Sequence, residues 1–154
     1  MKHQRLIFTN LVASALDNIV TGLNPNGIFI LVDENTEKSV LPKIKTESSS
    51  IADVPVIKIK AGDTNKNIEA LAHVWKQLGD LGATRSSLLV NIGGGMVTDL
   101  GAFAASTFKR GIKFINIPTT LLAAVDASVG GKTGINFNGL KNEVGTFCEA
   151  DWVI

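Results

Sequence analysis

Short apolar runs alternate with helical patterns along most of the chain. Five β-rich runs predict strands at residues 5–9, 28–32, 55–59, 88–92 and 112–117. The run at residues 88–92 lacks apolar and polar alternation, which is typical of a strand buried on both faces. Strands that are regularly separated by helices predict an α/β fold with a doubly wound, mainly parallel sheet and right-handed crossovers.

The helix after the third predicted strand has the clearest pattern. Its apolar residues recur at spacings of three and four and share one face: Ile68, Leu71, Ala72, Trp75 and Leu78. A second helix is predicted over residues 35–45, with the three serines 48–50 as a loop. A third is predicted from about Thr98, with a buried stripe of Leu100, Phe103, Ala104 and Phe108.

Composition excludes several classes of partner. The 154 residues carry a net charge of +1 with the charges scattered, so we expect one domain and no nucleic-acid partner. Uncharged stretches fall short of the roughly 18 apolar residues of a membrane span, so no membrane partner is expected. The single cysteine, Cys148, allows no intrachain disulfide and indicates a reducing compartment, by default the cytoplasm.

A strand, a glycine turn and a helix start meet at residues 91–99. Residues 93–95 are all glycine, and Asp99 lies in the helix that follows. Without Cβ atoms the backbone N–H groups can approach a pyrophosphate closely, and the helix N-terminus adds favourable partial charge. Thr98 replaces the third glycine of G-x-G-x-x-G. The motif is compatible with a phosphate cradle and also with a plain tight turn.

Two further stretches offer charges at the ends of elements. Asp33 follows the second predicted strand, where a carboxylate can accept hydrogen bonds from a ribose diol or act as a solvated cap. Asp63 and Lys66 offer a carboxylate and an ammonium to another part of a nucleotide, although their spacing alone favours a helix cap.

A lysine on a glycine turn follows a carboxylate in the last third of the chain. Lys132 follows two glycines, but neither Asp126 nor Ala127 supplies the first glycine that a P-loop requires, so the P-loop interpretation fails. Asp126 and Lys132 either direct their charges into one cleft or form a solvated turn. Lys141 and Asn142 place another ammonium and an amide beside glycines.

Arg110 and the histidines carry weaker signals. Arg110 precedes Gly111 and, taken alone, is a cation that favours the C-terminal end of a helix dipole. His3 and His73 are far apart, and His73 lies outside the apolar stripe of its helix, so no metal site is predicted.

Taken together, these motifs resemble the 3-dehydroquinate synthase family. Order and spacing match from the glycine run onward, and residues 62–66 resemble the family's Gly-Glu-x-x-Lys. The matching residues are Gly93, Gly94, Gly95, Met96, Val97, Thr98, Asp99, Leu100, Arg110, Gly111, Pro118, Thr119, Thr120, Leu121, Leu122, all of 125–134, Lys141 and Asn142.

The resemblance implies a Rossmann-like domain of a phosphorus–oxygen lyase. Such an enzyme converts the sugar acid phosphate DAHP to 3-dehydroquinate and phosphate in the shikimate pathway, using NAD and a divalent metal. Oxidation of an alcohol acidifies the neighbouring C–H, and NAD is regenerated. The residues implied to contact NAD are Asp33, Asp63, Lys66, Gly93, Gly94, Gly95, Met96, Val97, Asp99, Thr119, Thr120, Lys132 and Lys141. Those implied to face the substrate are Asp126, Lys132 and Asn142, with Arg110 reaching its phosphate across a dimer interface.

The chain also departs from the family. Asp63 replaces the family's usual Glu, Ala124 lies where the family often has Gln, and Glu143 lies where an apolar residue is commoner. The family continues into a helical domain whose Glu and two His bind zinc or cobalt, whereas this chain ends at Ile154 inside an apparent strand. We therefore expect residues 1–154 to be one NAD-binding domain of a longer homodimeric enzyme, inactive alone. The alternatives are a related sugar phosphate cyclase, a glycerol-dehydrogenase-type oxidoreductase and a non-catalytic NAD-binding module.

Overall fold

The computed structural model describes residues 4–154, within which helices alternate with strands. The strands are β1 (Arg5–Leu6), β2 (Ile28–Asp33), β3 (Val56–Ile59), β4 (Leu88–Gly93), β5 (Lys113–Pro118), β6 (Ile135–Phe137), β7 (Leu140–Val144) and β8 (Trp152–Val153). The α-helices are α1 (Val12–Leu23), α2 (Glu34–Ser39), α3 (Leu41–Glu47), α4 (Ile68–Asp80) and α5 (Gly95–Thr107). A π-helix spans Ala123–Ala127, and short 3-10 turns span Asp63–Asn65 and Phe108–Arg110.

Six strands form one parallel sheet in the order β1-β8-β5-β4-β2-β3. Successive residues of β4 face opposite sides, so Val90 packs with α1 and α3 while Leu89 packs with α4 and α5. All six residues of β4 are buried, as expected for a central strand covered on both faces. The predicted α/β, doubly wound, parallel fold is confirmed.

Several boundaries differ from the prediction. The helix predicted over residues 35–45 is two helices, which meet at Val40. Pro42 lies in the first turn of α3, where its missing N–H costs nothing, whereas inside one continuous helix it would break the hydrogen-bond ladder. Helix α5 begins at Gly95 rather than Thr98. Strand β1 is shorter than predicted because its partner β8 offers only two residues for pairing.

The hairpin of β6 and β7 lies outside the main sheet and was not predicted. Within residues 4–154, no helix has both the length and the apolar character that crossing a lipid bilayer requires.

Asp17 fastens helix α1 to the serine loop that follows α3. Its carboxylate accepts hydrogen bonds from Ser48 Oγ at 2.5 Å, Ser49 N at 3.0 Å and Ser50 N at 3.1 Å. Partial burial alone would raise the pKa of Asp17, but the bonds from the three serines outweigh it and lower the pKa from 3.8 to about 2. The loop prediction for these serines is confirmed.

We expect Asp17→Asn to lower the free energy of unfolding at pH 7 by about 1 kcal/mol, because charged hydrogen bonds are lost from a site that solvent partly screens. Because the pKa of Asp17 is lower in the folded state than in the unfolded state, its ionised carboxylate stabilises the fold at pH values above the unfolded pKa of 3.8. This stabilisation is lost as the pH falls towards the folded pKa of about 2. Urea unfolding measured at pH values from 7 downward should therefore show that the difference in free energy of unfolding between wild type and Asp17→Asn becomes smaller below about pH 4. Asp53→Asn, in an exposed turn, is the control, and a gap independent of pH would contradict the explanation.

Candidate functional site

The glycine run connects β4 to α5 at the carboxyl edge of the sheet. Space explains these glycines better than conformation, since none of the three has a positive φ. A Cβ on Gly93 would lie 2.5 Å from Val97, one on Gly94 3.3 Å from Thr120, and one on Gly95 3.4 Å from Ala127. Thr119 N also donates to the carbonyl oxygen of Gly93 at 2.9 Å. The fold therefore brings the predicted glycine turn and the two predicted threonines together.

The N-terminus of α5 is open to an anion. Gly94 is its N-cap residue, and no side chain caps it. The N–H groups of the first turn, which includes Met96 and Val97, therefore have no capping side chain, and the helix dipole favours negative charge here. This arrangement fits the pyrophosphate of a dinucleotide.

Lys66 lies at the centre of the polar network. It is 4% exposed, and its Nζ lies 3.0 Å from Asp99 Oδ2, 2.5 Å from Asn142 Oδ1 and 3.8 Å from Asp63 Oδ1. A buried ammonium needs such partners, because its desolvation is otherwise costly. One lysine thus joins two predicted NAD residues to a predicted substrate residue.

Burial is the main influence on Asp99. It raises the pKa of the Asp99 carboxyl above 3.8, a shift that Lys66 opposes and that the charges of Asp126 and Asp63 reinforce. For a carboxyl with a raised pKa, the stabilising contribution is complete below the unfolded value and is lost as the pH rises through the folded value. Above its raised pKa the Asp99 carboxylate is therefore held in place at a cost in stability, which is common at functional sites.

A cleft of about 420 Å³ adjoins this network. Among its lining residues are Asp99, Asp126, Lys132 and Asn142, all of them predicted site residues. The π-helix carries Asp126, whereas Lys132 lies on a loop that the backbone of residues 146–148 holds in place. In the described chain no ion pair joins Asp126 to Lys132, and both are exposed. The structure therefore favours the interpretation in which both charges enter one cleft.

The acidic residues at the edge of the site have different surroundings. Partial burial acts to raise the pKa of Asp63, but hydrogen bonds from Lys141 and Asn136 and the charge of Lys66 lower it below 3.8. Asp33 caps α2, because its Oδ1 accepts from Asn35 N at 2.9 Å and Thr36 N at 2.8 Å. The interpretation of Asp33 as a helix cap is thus confirmed, and its contact with a ribose stays a prediction.

Arg110 is not brought to this cleft. It lies at the amino end of β5, at the opposite edge of the sheet from the glycine turn, and lines a separate cavity of about 640 Å³. Its φ of 69° is positive, as is the φ of 49° at Lys109. Within one chain Arg110 therefore lines a different cavity from Asp126 and Lys132, and Phe147 is a lining residue of both.

No group of three or more His, Cys, Asp or Glu side chains is placed to hold a metal ion within residues 4–154. His3, one of the two histidines considered in the sequence, lies outside the described residues. The described residues therefore do not fit a zinc or cobalt site.

Sequence reasoning missed Asn136, a hairpin residue that contacts both Asp63 and Asn142. The available signal was Asn138 followed by Gly139, a pair that strongly favours a two-residue hairpin turn. Recognising that turn would have paired the strands on either side and placed Asn136 near Asn142.

Comparison with known proteins points to one family. The family model described as 3-dehydroquinate synthase N-terminal matches residues 56–154. A 3-dehydroquinate synthase of Parabacteroides distasonis is 50% identical over 147 residues, which cover 96% of this chain and 41% of that protein. One of Pyrococcus abyssi is 44% identical over 151 residues, which cover 98% of this chain and 44% of that protein. The chain thus spans about two fifths of the length of these relatives.

Two solved synthase structures share the fold. A 2-deoxy-scyllo-inosose synthase complexed with carbaglucose-6-phosphate, NAD+ and Co2+ has a TM-score of 0.86 at 24% identity, covering 96% of this chain and 40% of its own. The 2-epi-5-epi-valiolone synthase of Streptomyces hygroscopicus, with NAD+ and Zn2+ bound, has a TM-score of 0.81 at 26% identity, covering 99% of this chain and 42% of its own. Structures similar to this chain thus hold NAD+ together with Co2+ or Zn2+.

Proposed function

Because the chain belongs to the 3-dehydroquinate synthase N-terminal family, we propose that it is the NAD-binding domain of a 3-dehydroquinate synthase. The proposed enzyme is a lyase that converts DAHP to 3-dehydroquinate and phosphate. The observation that carries the proposal is the meeting of Asp99, Asp126, Lys132 and Asn142 at one cleft beside the glycine turn.

The proposed cofactor site is the open N-terminus of α5. Residues 93–95 let this turn pack closely against its neighbours, and the N–H groups at Met96 and Val97 would bind the pyrophosphate. Thr119 and Thr120 adjoin this turn. The other residues proposed to contact NAD are Asp33, Asp63, Lys66, Asp99, Lys132 and Lys141. When bound, NAD supplies a reversible hydride transfer that acidifies a substrate C–H.

On the substrate side, the proposed roles follow from charge. Lys132 offers its ammonium to an anionic group of the sugar acid phosphate, and Asn142 offers amide hydrogen bonds. Asp126, facing the same cleft, accepts hydrogen bonds from substrate hydroxyl groups. The fixed positive charge of Lys132 and the amide dipole of Asn142 stabilise developing negative charge as phosphate leaves.

The proposed enzyme needs more than this chain. Since residues 4–154 offer no set of three donors, zinc or cobalt would have to be held by residues outside them. We also propose that the working form is a homodimer in which Arg110 serves the phosphate bound by the other copy, because Arg110 lines a different cavity from Asp126 and Lys132. We accordingly propose that the 154-residue chain alone does not turn over DAHP.

A second candidate is a related sugar phosphate cyclase. The 26% identity to a 2-epi-5-epi-valiolone synthase supports this candidate, because that protein has the same fold. Product analysis of a longer protein that carries this chain separates the two candidates, since 3-dehydroquinate is expected from the first and a cyclitol from the second.

The proposal is tested by calorimetric titration of this chain with NAD+. We expect the wild type and an Asp53→Ala control to bind, and Asp99→Ala to bind at least about tenfold more weakly. The physical reason is that removing the Asp99 carboxylate leaves the buried Lys66 ammonium with one strong partner fewer. Equal affinity in wild type and Asp99→Ala would refute the role of Asp99. Failure of both this chain and the longer protein to bind NAD+ would refute the NAD assignment.

A further inference from the structure

Asn136 makes four hydrogen bonds that join separate parts of the site. Its backbone N–H donates to Lys66 O at 2.7 Å. Its side-chain Nδ2 donates to Asp63 O at 2.9 Å and to Asp63 Oδ2 at 3.2 Å. Its Oδ1 accepts from the backbone N–H of Asn142 at 3.0 Å. One side chain on β6 thus contacts the 62–66 loop on one side and β7 on the other.

The amide group is what this position requires. An amide donates through its nitrogen and accepts through its oxygen, so Asn136 serves the Asp63 carboxylate and the Asn142 N–H at once. An aspartate here would keep the acceptor but would lose both donors and add a negative charge beside Asp63. An alanine would remove both functions.

Asn142 depends on this support. Its φ of 52° lies in the left-handed region, which asparagine adopts more readily than other residues with side chains but which is still uncommon, so contacts that hold this residue matter. The backbone N–H of Asn142 donates to Asn136 Oδ1, and its side-chain oxygen accepts from Lys66 Nζ at 2.5 Å. The direction of the Asn142 side chain into the cleft is therefore set by these two contacts.

Asp63 is held in a similar way. Its Oδ2 lies 3.3 Å from Lys141 Nζ on β7 and 3.2 Å from the Asn136 amide on β6. The hairpin therefore fixes the Asp63 carboxylate from both of its strands.

We propose that Asn136 is a positioning residue that sets the Asp63 carboxylate and Asn142 relative to each other, and so the cofactor side of the site relative to the substrate side. The assignment of a cofactor side and a substrate side rests on the proposed function. The hydrogen bonds from Asn136 to Asp63 and Asn142 do not depend on it. Asn136 acts through its neighbours, and its effect is present before any ligand binds.

The first test uses the ligand-free chain and the variants Asn136→Ala and Asn136→Asp. NMR would measure the hydrogen-exchange rate of the Asn142 amide and the pKa of the Asp63 carboxyl. In Asn136→Ala we expect exchange to quicken by about tenfold or more and the pKa of Asp63 to rise. In Asn136→Asp the acceptor is kept, so exchange should stay slow while the pKa of Asp63 still rises.

The control is Asn138→Gly at the hairpin tip, where φ is 51° and glycine keeps the turn. It should change neither quantity. This pattern separates positioning from a general loosening of the hairpin, which would quicken exchange in both Asn136 variants. Wild-type values in Asn136→Ala would overturn the proposal.

A second test measures NAD+ affinity by calorimetry. Both Asn136 variants should bind about tenfold more weakly than wild type and Asn138→Gly. Unchanged affinity in Asn136→Asp, despite a raised pKa of Asp63, would overturn the link to the cofactor side. If neither the wild-type chain nor the longer protein bound NAD+, the proposed function would fail, and the NMR result would still decide whether Asn136 holds Asp63 and Asn142.

Discussion

Gly101→Ala is expected to lower the free energy of unfolding by about 3 kcal/mol, because α5 packs too closely on the sheet to accept a methyl group. A Cβ at residue 101 would lie 2.1 Å from Asn91 Oδ1 and 2.8 Å from Leu31 Cδ2. Neither neighbour can retreat easily. Both are fully buried in central strands, and Asn91 Nδ2 donates to Asn116 Oδ1 at 2.9 Å. Urea unfolding followed by circular dichroism measures the change.

Two other helical glycines are matched controls. Nothing lies within 4 Å of a Cβ built on Gly22 in α1 or on Gly79 in α4. Alanine at either position should leave stability unchanged or raise it by about 0.5–1 kcal/mol, because alanine is the better helix former. If Gly101→Ala proved as stable as Gly79→Ala, the close packing of α5 on β4 would be wrong.

This packing also matters for the site. Asn91 lies on β4 two residues before the glycine turn, and Gly101 lies on α5 six residues after Gly95. The contact between them therefore fixes how α5 leaves the sheet and where its open N-terminus points. Gly101→Ala should accordingly weaken NAD+ binding along with stability.

The parallel sheet was predictable because its strands carry local signals. Each central strand is a short apolar run. The stripe predicted for the helix after β3 is only partly right, because Leu71 and Leu78 are buried and Trp75 is half-buried, whereas Ile68 and Ala72 are exposed and Val74, which was not predicted, is buried. Most of the predicted stripe of α5 is also buried, except that the half-buried Phe108 lies in the turn beyond the helix. Interior strands and regular helices are decided by residues close together in sequence.

The parts that were not predicted depend on contacts between distant residues. The strand expected at the end of the chain is present as β8, but its position between β1 and β5 is one that no local pattern specifies. The break at Val40 and the hairpin were exceptions, because Pro42 and the turn pair Asn138 and Gly139 were local signals.

The candidate site, too, has a part that the sequence predicted and a part that it did not. Motif order led to Lys66, Asp99, Asp126, Lys132 and Asn142, and the structure brings these five residues to one network and its adjoining cleft. Sequence spacing did not reveal that Lys66 is buried, because its partners Asp99 and Asn142 are 33 and 76 residues away. Burial of a charge is a tertiary property, and here it marks the centre of the site.

In a protein that combines this chain with the proposed metal-binding domain, Lys132→Met is expected to slow phosphate release from DAHP by about a hundredfold or more. That is the size of effect seen when one fixed charge facing a developing negative charge is removed. Lys132 lines the cleft with Asp126 and has no ion pair to another described side chain, so its ammonium is free to meet an anionic substrate. Methionine keeps much of the length of the side chain and removes only the charge.

Lys60→Met is the control, since Lys60 is exposed beside β3 and lines a different cavity. Release of phosphate is followed by a colorimetric assay over a range of DAHP concentrations, and calorimetry gives the NAD+ affinity of both variants. The expected loss is mainly in kcat/KM for DAHP, with NAD+ affinity reduced by less than about tenfold, because the pyrophosphate is held chiefly by the N-terminus of α5. If Lys132→Met released phosphate at the rate of the Lys60→Met control, Lys132 would have no role in the reaction. Loss of NAD+ binding without a defect at saturating NAD+ would instead assign Lys132 to the cofactor.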